Sequence, residues 1–136
     1  MPTHVESKDL INAQQMEVAV NGPDGATHLI LCTGLANLSC VSHEIFTFFV
    51  GPQLSRRQFV GVIASGALST IQVHHGKVLT EVNPETEPEA RLVTINAIYD
   101  EASSQVKVST EVASSTATTK LAISYNVSIL AELPIY

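Results

Sequence analysis

His74 and His75 stand side by side, and Glu81, Glu85, Glu87 and Glu89 follow shortly after them. Imidazole and carboxylate are the pair that general acid–base chemistry uses, the carboxylate orienting the ring while the ring moves a proton near neutral pH. A small hydrolase or isomerase working through His74 or His75 is therefore one reading of the chain. Two features oppose it. Neighbouring residues of a strand point to opposite faces, so the two rings diverge. Glu85, Glu87 and Glu89 are interleaved with Pro84 and Pro88 in a loop, where water solvates a carboxylate rather than perturbing it.

The remaining candidates for chemistry are sparser. His28, His43, Cys32 and Cys40 are metal-ligand types, but no CxxC or comparable spacing brings them together, so no metal and no cofactor is expected. Asp100 and Glu101 sit in a turn. Serine and threonine are abundant, yet there is no Gly-x-Ser-x-Gly elbow, and the Gly61 to Gly66 stretch lacks the lysine of a phosphate loop. No catalytic residue is assigned. Ser55-Arg56-Arg57-Gln58-Phe59-Val60, followed by apolar residues to Ile71, resembles a twin-arginine export signal over about a dozen residues. Such a signal leads a chain, and here strand-like segments precede it, so the match is read as coincidence.

What stands out instead is aromatic. Three of the four phenylalanines lie in Ile45-Phe46-Thr47-Phe48-Phe49-Val50, a strand with apolar residues on both faces, and Phe59 and Tyr99 are large apolar rings elsewhere. A strand of that kind is covered on both sides, as a central strand or at a subunit contact. Phe46, Phe48, Phe49, Phe59 and Tyr99 are therefore the interface or pocket candidates.

These residues need a frame, and the last third of the chain supplies its period. Leu121, Ile123, Tyr125, Val127 and Ile129 alternate with Ala122, Ser124, Asn126 and Ser128, and Val106 and Val108 alternate with Lys107 and Ser109. A repeat of two is that of a half-buried antiparallel strand. Upstream, Met16, Val18 and Val20 alternate with Glu17 and Ala19 and run into Asn21-Gly22-Pro23-Asp24-Gly25, a tight reversal before a strand from Thr27 to Thr33. Gly34 to Ser42 reads as a loop or poorly regular strand.

Further strands are expected over 45–50, 59–66, 69–75, 77–82, 91–99, 105–112 and 119–130, with turns at 100–104 and 113–118 and a loop at 83–89. Ser55 and Gln58 are spaced as a capping box, which offers a one-turn helix as the alternative at the start of 59–66. Ser7 to Gln15 reads as a short helix capped by Ser7. About nine strands in one domain over residues 1–136 make an all-β antiparallel sandwich, jelly-roll-like or immunoglobulin-like, with a possible short N-terminal helix.

Charge narrows the partners. Only 15% of the 136 residues are charged, against about 25% in an average domain, and the net charge is −6. Seven Lys and Arg, unclustered apart from Arg56 and Arg57, cannot track a phosphate backbone, and no run of about eighteen apolar residues spans a bilayer. No nucleic-acid or membrane partner is expected. The absence of a basic, apolar leader points to the cytoplasm or an assembled particle, where Cys32 and Cys40 stay reduced as small hydrophobes.

Three functions follow in order. The first is a non-enzymatic structural or protein-interaction module that forms homo-oligomers or docks on a larger assembly. The second is a small apolar-ligand binder with a pocket lined by Phe46, Phe48, Phe59 and Tyr99. The histidine enzyme is the third.

Overall fold

The computed structural model describes residues 3–6, 9–19, 27–40, 43–75, 78–82, 90–114 and 119–132, with the backbone alone at 40, 70–75, 78–82, 90, 114 and 119. Among them are nine strands: β1 (Thr3–His4), β2 (Leu10–Ala19), β3 (Thr27–Cys40), β4 (His43–Val50), β5 (Phe59–His75), β6 (Val78–Val82), β7 (Ala90–Asp100), β8 (Gln105–Ser114) and β9 (Thr119–Glu132). They form a four-stranded sheet, β1-β4-β8-β7, and a five-stranded sheet, β2-β3-β9-β5-β6. Every pairing is antiparallel except the two-residue β1 beside β4.

The topology explains how so regular a sequence closes on itself. β3 pairs with β9 from Thr27↔Glu132 to Cys40↔Thr119, and β4 then pairs with β8 from His43↔Ala113 to Val50↔Val106. The ribbon β3–β4 thus runs antiparallel to the ribbon β8–β9, and both pass from one sheet to the other at the same corner. That crossing joins the two sheets into the expected antiparallel sandwich, and it places the last two strands in the interior of their sheets.

The alternation reads true there. Leu121, Ile123, Tyr125, Val127 and Ile129 of β9 and Val106, Val108 and Val112 of β8 are buried between the sheets with Ile30, Phe48 and Val50. Phe48 and Tyr125 meet across that layer, ring centroids 5.0 Å apart. Thr110 is the buried polar residue of the layer, and its hydroxyl donates to the Phe46 carbonyl at 3.3 Å. A hydroxyl there is tolerated because it has a partner.

Four expectations are corrected. Residues 10–15 belong to β2 rather than a helix, because pairing with β3 supplies a ladder that an isolated nine-residue helix cannot match. Asn12 there has φ 53° beside a register shift between Ile11 and Gln14. Residues 34–40 continue β3, since Gly34 and Gly66 both lie opposite Tyr125, and a Cβ on Gly34 would stand 2.6 Å from the tyrosine hydroxyl. The glycine that looks like a break is the space the ring occupies. Segments 59–66 and 69–75 are one strand with an irregularity between Leu68 and Thr70. Finally, the described residues of one chain do not cover β4 on both faces, since Phe46, Phe48 and Val50 are buried while Ile45 is 42% exposed, which leaves the subunit contact as the form in which that expectation stands.

The capping-box reading holds as local geometry. Ser55 N donates to Gln58 Oε1 at 2.8 Å and Gln58 N to Ser55 Oγ at 3.3 Å, closing a turn from which β5 starts at Phe59. The arginine pair lies in that turn and the apolar run after it is strand.

Candidate functional site

The five aromatic candidates separate into three places. Phe46 and Phe48 are core, 3% and 0% exposed. Phe49, on the opposite side of β4, is half-buried with its ring centroid 5.7 Å from that of His4. Phe59 and Tyr99 stack at 5.1 Å at one end of the sandwich. There the Tyr99 hydroxyl donates to the Leu54 carbonyl at 2.6 Å, and the Arg56 guanidinium lies 5.6 Å over the Tyr99 ring. This cluster braces the connection between β4 and β5, with Leu54 buried beneath it.

Two cavities open where β1 and β2 leave the sandwich. One of about 570 Å³ is floored by Val5, Leu38, Phe46 and Leu121 and rimmed by His4, Asp9 and Lys120. The other, about 220 Å³, is bounded by Leu10, Cys32, Val50, Gly51, Gln105 and Tyr125. Phe46 lines the first and Phe49 the second, whereas Phe48, Phe59 and Tyr99 line neither. The aromatic set does not converge on one pocket.

The second cavity holds the described thiol. Cys32 is free, and burial pushes its pKa up to about 11, so at neutral pH it is a protonated small hydrophobe and not a nucleophile. Burial likewise raises the Tyr125 phenol, with a further contribution from the charge of a Cys32 thiolate. Cys40 lies eight residues along the same strand from Cys32. At about 3.3 Å per residue, the two are far beyond disulfide reach within one chain.

The titratable pairs lie away from both cavities. His28 Nδ1 is 2.9 Å from Glu17 Oε1, though not aligned as a hydrogen bond, and His43 Nε2 is 2.8 Å from Glu111 Oε1. Asp100 accepts from the Ser103 hydroxyl at 2.6 Å and the Ser103 N–H at 3.1 Å. The hydroxyl contact leads in holding the Asp100 carboxyl below its usual value. Among the described residues no three His, Cys, Asp or Glu side chains come together as a metal set. His74 and His75 occupy the end of β5 opposite Leu79 and Val78. Their side chains, and residues 83–89, lie outside the described residues.

The most distinctive surface is one that aromatic counting misses. On the outer face of the five-stranded sheet, Met16, Leu31, Ser128 and Ile63 form one row across β2, β3, β9 and β5, and Val18, Leu29 and Leu130 form the next. Met16 is 61%, Val18 42% and Ile63 75% exposed. The rows beyond are Gln14, Thr33, Asn126 and Ser65, then Ile11, Leu35, Ser124 and Ala67. None of these residues is charged. Lys120 and Glu132 lie at the two ends of the β9 column on this face, opposite Ser39 and Thr27, whereas on the outer face of the four-stranded sheet Lys107 and Glu111 lie within β8 and His43 pairs with Glu111.

Among the described residues no helix is long and apolar enough to cross a membrane. Compared with protein-family models, curated proteins and solved structures, the chain matches none.

Proposed function

We propose that this protein is a non-enzymatic structural module that associates with copies of itself, or docks on a larger assembly, through the outer face of its five-stranded sheet. The observation that carries the reading is the uncharged block in which Met16, Val18, Leu29, Leu31, Ile63 and Leu130 lie side by side in register. Contiguous exposed apolar area rimmed by small polar residues is the mark of an interaction surface, and interface centres are depleted in charge. Among the described residues the thiol is protonated and the His28–Glu17 and His43–Glu111 pairs sit apart from the cavities, which favours this reading over an enzyme. A reducing compartment or an assembled particle suits such a module.

Sedimentation velocity over a wide concentration range tests this directly. A mass above that of a 14.5 kDa monomer, rising with concentration, is expected. A strict monomer at millimolar concentration would overturn the self-association arm and remove the main support of the reading.

A second reading, a small-ligand site, is favoured by the groove of about 570 Å³, a volume within the range of ligand pockets. Its apolar floor and its His4, Asp9 and Lys120 rim suit a small amphipathic molecule. A thermal-shift panel of such molecules, with Phe46→Leu as the variant that alters the floor, separates it from the first.

A further inference from the structure

The way copies meet is written in β2. It is the edge of the five-stranded sheet, and nine of its ten residues are exposed, on both faces. The cause lies in the other sheet, whose strand on that side is the two-residue β1, so among the described residues little lies beneath β2, and the ladder to β3 is what holds it. Among the described residues nothing pairs with its other side. The unpaired N–H and C=O groups of such an edge fit one kind of occupant, another extended strand.

Natural edges are guarded by lysine, proline or a bulge. In β2 the register shift sits at the Ile11 to Gln14 end and leaves Gln14-Gln15-Met16-Glu17-Val18-Ala19 regular, with no proline, no cation and one anion.

From these observations we infer that β2 pairs antiparallel with β2 of a second copy across a two-fold axis, joining two five-stranded sheets into one of ten strands. This rests on the self-association reading above but sets the contact at the β2 edge of that sheet rather than on its outer face. The register follows from side-chain chemistry. With Met16 opposite Met16, Gln15 faces Glu17 and Gln14 faces Val18, so each anion meets an amide and the Met16 row of one copy runs on into that of the other. A centre one residue further along would set Glu17 against Glu17, which like charges oppose.

The test is a charge swap at the residue that faces itself. Met16→Lys and Met16→Glu are surface changes in an exposed position, and far-UV circular dichroism with thermal melting verifies that each remains folded. Each alone is expected to weaken the wild-type dimer by at least about tenfold, and an equimolar mixture to recover it as a heterodimer. Ile45→Lys, on the outer face of the other sheet, is expected to leave association unchanged. If the wild type associates and Met16→Lys associates as well, the β2 contact is overturned while self-association stands. If both variants dissociate and the mixture does not recover, the Met16-centred pairing is overturned. A wild type that stays monomeric at every concentration overturns both the contact and the reading beneath it.

Discussion

Replacing Gly34 by alanine probes the packing on which the sandwich depends. The added methyl would lie 2.6 Å from the Tyr125 hydroxyl oxygen, 2.9 Å from Cζ and 3.1 Å from Cε1. A side-chain tip that could swing away would make this cheap, but Tyr125 is 2% exposed and packs on Phe48, which is fully buried. The ring can move only by displacing the core, and overpacking of this kind costs about 1–3 kcal/mol. For a domain of this size that lowers the melting temperature by roughly 3–6 °C per kcal/mol. Gly61→Ala is the matched control: a Cβ there meets nothing within 4 Å, so the change is expected to be neutral or to stabilise by up to about 1 kcal/mol through reduced backbone freedom. Tyr125→Phe in the Gly34→Ala background removes the closest atom and leaves Cζ, so it restores part of the loss, with a coupling of at least about 0.5 kcal/mol in a double-mutant cycle. Chemical denaturation of the four proteins measures all of this. Gly34→Ala within about 0.5 kcal/mol of wild type, or the two glycines behaving alike, would refute the assignment of Gly34 as the seat of the Tyr125 ring.

Three further outcomes are expected. In a Cys40→Ala background, native Cys32 reacts with iodoacetamide at pH 8 about a hundredfold more slowly than an unfolded thiol, because a pKa of about 11 against 9.0 cuts the thiolate fraction by that factor. The sign for stability follows: the folded thiol keeps its proton while the unfolded one ionises. This stability is complete below about pH 9 and is lost as pH rises toward 11, by roughly 2–3 kcal/mol in all, and a Cys32→Ala variant that shows the same loss would discount it. Ser103→Ala is expected to raise the Asp100 carboxyl back toward 3.8 in an NMR titration, and an unmoved titration would mean the hydroxyl contact is not its cause. Phe48→Ala costs about 3–5 kcal/mol as a core truncation, while Phe49→Ala, half-exposed on the other side of β4, costs less than about half of that; the reverse order under urea would contradict the placement of the two rings.

Residues that face the core announced themselves where both neighbouring strands belong to the same sheet. In β8 and β9 the alternating set Val106, Val108, Val112, Leu121, Ile123, Tyr125, Val127 and Ile129 is buried throughout, with Thr110 the polar member in phase and Leu130 the apolar one out of phase, so faces and core are readable from the sequence alone. The failures share a physical cause, which is dependence on residues distant in sequence. Leu10 to Gln15 carries helix-compatible residues, and only the presence of Leu31 to Ala36 beside it makes extension the better state. Gly34 is a breaker by propensity and a packing site by virtue of Tyr125, ninety-one residues later. β1 has two residues and no periodicity at all; it exists because the edge of β4 offers Phe46 and Thr47 as partners, and the Val5 N–H closes the contact on the Thr47 carbonyl at 2.7 Å. The aromatic candidates were a fair reading of composition, but ring size alone does not distinguish Phe48 in the core from Phe59 and Tyr99 bracing a connection.

The alternation of β2 was seen, and the side it hides was inverted. Met16 and Val18 alternate with Glu17 and Ala19, and in an ordinary strand of a sandwich the apolar pair would face the other sheet. Register with β3 sets the opposite: Glu17 lies beside Ile30, on the inward side, and Met16 and Val18 lie beside Leu31 and Leu29, on the outward side. An inward glutamate is tolerable only because the four-stranded sheet does not extend beneath it. Glu17 stays 43% exposed and reaches His28 at the margin. Two features of the sequence that run against the pattern of a sandwich strand, an anion on the core side and a methionine and valine on the solvent side, are thus one feature: β2 lies past the edge of the facing sheet, so among the described residues neither of its faces is buried.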